Sequence, residues 1–337
     1  MSTNASATNS ADAAARMHAL HAMVEDGLAS LLKEHAGEPG ELYGPVRYAL
    51  EQKGKRLRPL LALLTCEACG GKAEDALPAA LAVEVFHTFT LVHDDIMDHA
   101  ETRRGRAAVH RQYDENKALL AGDYLMGLSY DLLARAERAE LRPMIRSFHR
   151  MVARLCEGQA LDEAFESRTE VTKPEYLDMI AGKTGALIAF AMEAGARTAA
   201  APDAFIDSAT TAGAQLGRAF QIQDDYLDLM ATDPNWGKPI GGDLVQAKWA
   251  YLLLHTLEVA QGEDHAWFAR IHADGGLDPA LVDEARTRME RLGVIDHVRS
   301  RILDDYVSAR TLIEAFEPTA GRDGLLALVG RMQRRLT

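Results

Sequence analysis

The chain has 337 residues, 47% of them hydrophobic and 26% charged, with only 6% aromatic and a formal net charge of −13. That balance belongs to a globular protein of one large or two ordinary domains. It excludes general binding to nucleic acid, whose phosphates need a basic footprint.

Met1 to Ala15 is rich in Ser, Thr, Asn and Ala and has no apolar core. Residues 1–15 are therefore expected to be a disordered tail, neither secretory signal nor membrane span, ahead of one folded domain over 16–337. Next comes a basic stretch, Gly54-Lys55-Arg56-Leu57-Arg58-Pro59, and a helix-like run from Leu60 that ends at Gly70-Gly71. Cys66 and Cys69 lie in that run without a second pair, so buried structural thiols are expected, not a zinc or redox site. With Cys156 they make an odd, small count that fits a reducing cytoplasm. Asp75 before Ala76-Leu77-Pro78, the Thr172-x-x-Glu175 capping box and Asp278 before Pro279 mark helix starts. The stretch Asp233 to Gly237 reads as a break between helices. Strict apolar/polar alternation and Asn-Gly turns are missing, so strands have no support. No stretch approaches the roughly 18 uninterrupted apolar residues of a membrane span. Abundant helix formers and the lack of any linker predict one all-α domain of ten or more helices.

Chemistry enters with Asp94-Asp95-Ile96-Met97-Asp98 and its second version, Asp224-Asp225-Tyr226-Leu227-Asp228, each following an apolar, helix-like run. On a helix the first and fifth positions of such a group are about 40° apart and the second about 100° from the first. All three carboxylates of each cluster are thus expected on one side of their helix. Like charges so close repel unless cations intervene, and hard divalent metal completed by phosphate oxygens suits them. Lys55, Arg56 and Arg58 before the first cluster, and Arg103-Arg104 after it, add donors whose geometry matches phosphate. Each basic group alone would pass for a solvated turn; beside a repeated acidic triplet they point to a diphosphate. His87 on its own would pass for a core residue. It lies seven before Asp94, about two turns away on the same side of the helix.

In order along the chain stand Gly54-Lys55-Arg56-Leu57-Arg58-Pro59, His87, Asp94-Asp95-x-x-Asp98, Arg103-Arg104-Gly105, Lys183-Thr184-Gly185, Phe220-Gln221-Ile222-x-Asp224-Asp225-x-x-Asp228 and Gly237-Lys238-Pro239. From about residue 40 onward this series closely resembles the trans-prenyltransferases, or polyprenyl diphosphate synthases. The resemblance implies an all-α isoprenoid-synthase bundle around a central cavity, a cytoplasmic homodimer, and dependence on Mg²⁺, three ions per active site. It makes Asp94, Asp95, Asp98, Asp224 and Asp228 metal ligands within two catalytic clusters that include Asp225. Arg103, Lys183, Thr184, Gln221, Lys238 and Lys248 are implied to hold an allylic diphosphate with its metals, Lys183 and Lys238 acting in catalysis. Lys55, Arg58, His87 and Arg104 are implied to hold isopentenyl diphosphate. Two departures concern detail: Ala250 stands where the family often has Ser or Thr, and the first cluster has no two-residue insertion.

The implied reaction is head-to-tail condensation of the two diphosphates. Charge on the departing pyrophosphate is stabilised, and an apolar enclosure keeps water from the allylic cation. Phe89 lies five residues before Asp94, with Phe86 three further back and the small Thr90 beside it. In the family that pattern resembles a C20, geranylgeranyl product, although Phe86 and Phe89 also suit an amphipathic core. Farnesyl (C15) and longer (C25 and above) products remain open, as does the allylic starter. A class I terpene cyclase would lack the second cluster and the Lys55/Arg58/His87 set. A non-catalytic subunit would have lost acidic residues. A di-iron bundle would need a second Glu-x-x-His beside Glu84-x-x-His87.

Overall fold

The computed structural model describes residues 2–231 and 239–336, with side chains from Ala13 onward. The helices run in the order α1 (Ser2–Glu34), α2 (Gly40–Leu50), α3 (Leu57–Ala68), α4 (Ala73–Met97), α5 (Val109–Gln112), α6 (Glu115–Ala134), α7 (Leu141–Glu166) and α8 (Lys173–Ile180). A π-helical turn, Ala181–Gly185, leads into α9 (Ala186–Thr198) and α10 (Asp203–Met230). After these come α11 (Gly242–Val245), α12 (Tyr251–Val259), α13 (Gly262–Ala273), α14 (Val282–Arg291), α15 (Val294–Glu314) and α16 (Ala320–Gln333). The all-α expectation holds. The helix α1 also runs through the stretch expected to be a disordered tail, continuing outward from the buried turns at Met17, Leu20 and Val24.

Two compact units emerge, one from Met1–His149, Phe190–Thr210 and Ile313–Leu328, the other from Arg150–Ala189, Thr211–Leu312 and Val329–Thr337. Each is assembled from three separate segments, and the chain passes between them inside α7, α9, α10, α15 and α16. Every crossing lies inside a helix, so no linker marks it, and composition reads as a single domain.

In the first unit α4 packs against α3 and α6. Its buried face is small at Ala79, Ala80 and Ala82 and large at Phe86, whose ring centroid lies 5.2 Å from that of Phe148. Phe148 in turn meets Tyr130 edge-to-face at 4.8 Å and Phe190 in a tilted contact at 5.2 Å, so four rings form one cluster. By length and composition alone α4 would pass for a membrane span, but charged residues interrupt it and 61% of its most apolar window is buried inside the protein. Its apolarity is that of a core helix.

The other unit centres on Tyr306 of α15, fully buried, which donates its hydroxyl to Gln223 Oε1 at 2.7 Å. Gln223 Nε2 donates to Met332 O at 3.1 Å, tying the last turn of α16 to α10. Thr172 caps α8 by the reciprocal pattern its sequence predicted, its amide donating to Glu175 Oε2 at 2.8 Å. Asp278 caps a short 3-10 turn, donated to by Ala280 N at 2.9 Å. Asp75, by contrast, lies inside α4, which starts at Ala73.

Strands were not expected, yet Thr102–Arg103 and Arg106–Ala107 pair as a two-residue-loop hairpin. Arg104 and Gly105 both have positive φ, 52° and 76°, the signature of a type I′ turn. Gly at its second position was the legible hint. Cys66 is buried and donates to Lys72 O at 3.3 Å; burial pushes its thiol up to about 12 and that of Cys69 to about 11. Cys66 is the buried structural thiol expected, whereas Cys69 is half-buried.

Candidate active site

Both aspartate clusters lie in the last two turns of a long helix, α4 and α10, and neither helix has a basic residue in its last turn. The carbonyl end of a helix carries about half a negative charge. Three carboxylates there are opposed by their own helix, a placement that calls for a cation.

Within the first unit Asp94 is half-buried and Asp98, the residue ending α4, is exposed. Asp95 is only 2% exposed, and Arg103 Nε donates to its Oδ1 at 2.8 Å, with Nη2 adding a second bond to that oxygen. The expectation that all three carboxylates share one open side is thus corrected: the 100° offset turns the middle one into the protein. Arg103 reaches Asp95 because the hairpin folds back over it. Tyr48 fixes that hairpin, donating to Ala107 O at 2.9 Å and lying under the Arg106 guanidinium at 4.0 Å.

The basic run divides. Arg56 is buried in left-handed conformation (φ 49°), donating to Glu25 Oε1 and Glu84 Oε1 at 2.7 Å each and to Gln52 O at 3.0 Å. It is a structural anchor that fixes the start of α3, where Arg58 sits. Arg58 Nη1 lies 3.1 Å from His87 Nε2, and Arg104 Nη1 donates to Lys53 O at 3.2 Å, beside Gly54 and Lys55. Burial, then Arg58, then Arg104, Arg103 and Arg56 hold the His87 imidazole well below its usual range, so Nε2 accepts from Arg58. Arg58, His87 and Arg104 with the neighbouring Lys55 gather in this unit. Phe89 is half-buried, 5.1 Å from Phe86 and 4.8 Å from His93 by ring centroids. Thr90 is buried and donates to His87 O at 2.9 Å. Phe86 is fully buried behind Phe89, a core residue supporting it.

The second unit repeats the pattern. Asp225 is 6% exposed and turned inward, whereas Asp224 and Asp228 are half-buried. Its Oδ2 accepts from the Tyr176 hydroxyl and, at 2.9 Å, from Tyr251 N; its Oδ1 accepts from Gln221 Nε2 at 3.1 Å. Burial raises the Asp225 carboxyl to about 6 against these donors. Asp228 Oδ2 accepts from Asp243 N at 3.0 Å, and Arg335 Nη2 lies 3.3 Å from Asp224 Oδ1.

Lys183 and Thr184 ride on the π turn, a distortion common at functional sites. Lys183 Nζ donates to Asp162 Oδ2 at 2.5 Å, and Thr184 Oγ1 to Gln221 Oε1 at 2.8 Å. Backbone meets backbone here: a Cβ on Gly158 of α7 would lie 2.2 Å from Lys183 N, and one on Gly182 2.5 Å from Arg154 O. Lys248 is exposed, its amide donating to Asp243 O at 2.8 Å. Lys238 falls outside the described residues.

Sequence reasoning missed Asp162, Tyr176 and Asp243. Asp162 follows Gly158-Gln159 on α7, and Asp243 follows Gly241-Gly242, so paired small and acidic residues were the available signals. Among the described residues no three His, Cys, Asp or Glu side chains enclose a metal position by themselves. The half-buried Asp94, Asp224 and Asp228 and the exposed Asp98 nevertheless suit Mg²⁺, which takes few carboxylates and completes its shell with water and phosphate oxygens.

The polyprenyl synthetase family model matches residues 39–289. The short chain isoprenyl diphosphate synthase of Methanothermobacter thermautotrophicus is 38% identical over 288 residues, 85% of this chain and 88% of that protein. The geranylfarnesyl diphosphate synthase of Natronomonas pharaonis is 37% identical over 305 residues, covering 85% and 87%. The crystal structure of geranylgeranyl pyrophosphate synthetase from Pyrococcus horikoshii superposes with a TM-score of 0.86 at 34% identity, over 95% of this chain and 98% of that one. With its family model spanning most of the chain and both aspartate clusters intact, the protein belongs to the polyprenyl synthetase family of prenyltransferases.

Proposed function

We propose that the protein condenses isopentenyl diphosphate head-to-tail with an allylic diphosphate to give a short-chain all-trans prenyl diphosphate, chiefly the C20 geranylgeranyl product. The observation that carries this reading is the twice-built carboxylate cluster, each with its middle aspartate locked inward on protein donors. Asp94, Asp98, Asp224 and Asp228 would hold Mg²⁺, three ions per site; Asp95 serves by fixing Arg103. The metal, when bound, neutralises charge on the departing pyrophosphate. Lys183, Thr184, Gln221, Arg103, Lys238 and Lys248 orient the allylic diphosphate. Lys55, Arg58, His87 and Arg104 hold isopentenyl diphosphate, with neutral His87 free to present its other ring nitrogen as a donor.

Phe89 supports the C20 reading: half-buried and backed by the Phe86–Phe148 cluster, it is a ring that cannot retreat. Glu84 argues against a di-iron site, because its carboxylate is taken by Arg56. The exposed Leu119 and Leu120 of α6 support a homodimer, and unbridged Cys66, Cys69 and Cys156 support a cytoplasmic setting.

The test is purified protein with Mg²⁺, isopentenyl diphosphate and each of the C5, C10 and C15 allylic diphosphates, product lengths being read by mass spectrometry. Asp94→Ala and Asp225→Ala are expected to abolish turnover without unfolding the protein. A wild-type enzyme that converts geranylgeranyl diphosphate alone into hydrocarbon would instead be a cyclase.

A further inference from the structure

Asp225 is the carboxylate of the second cluster that the protein grips most fully, and one of its donors has no place in the diphosphate-binding set. Tyr176 is 3% exposed, and its hydroxyl donates to Asp225 Oδ2. A buried phenol needs a partner. Here the partner is the charge in the middle of an acidic cluster, with Asp243 and Asp162 adding to the negative field around the ring. Burial first, and then the charge of Asp225 with that field, push the hydroxyl's pKa well up, so it stays protonated and a donor.

Two further groups share Asp225. Tyr251 N shares Oδ2 at 2.9 Å, and Gln221 Nε2 donates to Oδ1 at 3.1 Å. Gln221 Oε1 in turn receives Thr184 Oγ1 at 2.8 Å. Hydrogen bonds therefore run unbroken from Tyr176 through Asp225 and Gln221 to Thr184. The capping box at Thr172 fixes the first turn of α8, which carries Tyr176, and the same element runs on into the π turn that bears Lys183 and Thr184. One short helix thus sets the middle aspartate and the π-turn residues together.

Removing the hydroxyl leaves Oδ2 with the Tyr251 amide alone. The carboxylate is then able to rotate toward Asp224 and Asp228, and Gln221 to let go of Thr184. We propose that Tyr176 is a positioning residue: its hydroxyl pins Asp225 inward, so that Asp224 and Asp228 present the metal-binding face while Gln221 stays locked on Thr184. This rests on the prenyl-transfer reading for the identity of the cation and the anion.

The test is Tyr176→Phe, which keeps the ring and deletes the hydroxyl. Mn²⁺ binding in the presence of inorganic pyrophosphate, followed by the electron paramagnetic resonance of free Mn²⁺, is expected to weaken about tenfold, the equivalent of one hydrogen bond to a charged group. The Mg²⁺ concentration for half-maximal turnover rises by a similar factor, while KM for isopentenyl diphosphate stays unchanged. Both half-saturation constants are independent of the folded fraction, so partial unfolding does not imitate the effect. In an Asp225→Asn background the same substitution adds no further loss. Unchanged Mn²⁺ binding in Tyr176→Phe, or an equal loss in the Asp225→Asn background, overturns the proposal. Wild-type protein that binds Mn²⁺ with pyrophosphate yet forms no prenyl product overturns the functional reading instead.

Discussion

Gly158→Ala tests how the π turn is held. The new Cβ would stand 2.2 Å from Lys183 N and 2.8 Å from both Gly182 C and Met179 O. All three are backbone atoms, so no rotamer relieves the clash. Nonbonded heavy atoms settle near 3.5 Å, so α7 and the π turn must part by roughly 1 Å. Overpacking of this kind costs about 1–3 kcal/mol of stability, a shift of several degrees in Tm. The larger effect falls on catalysis, because the displaced turn carries Lys183, bonded to Asp162, and Thr184, bonded to Gln221. A displacement of about 1 Å costs on the order of 10²-fold in rate, near 2.7 kcal/mol of barrier. The assay is kcat at saturating substrates beside a calorimetric melt, with KM for isopentenyl diphosphate as the internal control. A Gly158→Ala enzyme with kcat within twofold of wild type and an unmoved melt would refute the reasoning.

Phe89→Ala is expected to lengthen the products, read by mass spectrometry, whereas Phe86→Ala removes a fully buried ring and costs about 3–5 kcal/mol in urea unfolding. Unchanged chain length in the first variant would remove Phe89 from any gate. His87 supplies a pH dependence. Its folded pKa is depressed by burial and Arg58, so the folded protein binds fewer protons there than the unfolded chain. Stability from this group is complete above the unfolded value of about 6.5 and falls as pH drops below it. His87→Gln should flatten the loss of unfolding free energy between pH 7.5 and pH 5.5; an unaltered slope would show that His87 is not its source.

By itself the sequence determined the all-α class, the capping box at Thr172, both aspartate clusters and the basic groups around the first. These are local: helix propensity, a three-residue cap and side chains a turn apart are all written in neighbouring residues. Tertiary structure decided which way each residue faces. Lys55, Arg56 and Arg58 read as one basic run, but Glu25 and Glu84, distant in sequence, draw Arg56 inward as an anchor. The middle aspartates look equivalent to their neighbours until Arg103 and Tyr176 claim them. Asp162, Tyr176 and Asp243 stayed invisible because their roles depend on partners brought together only by the packing of α7, α8 and α10 and the chain after α10. The division into two units escaped notice for the same reason: the chain changes unit within helices, where no residue type records the passage.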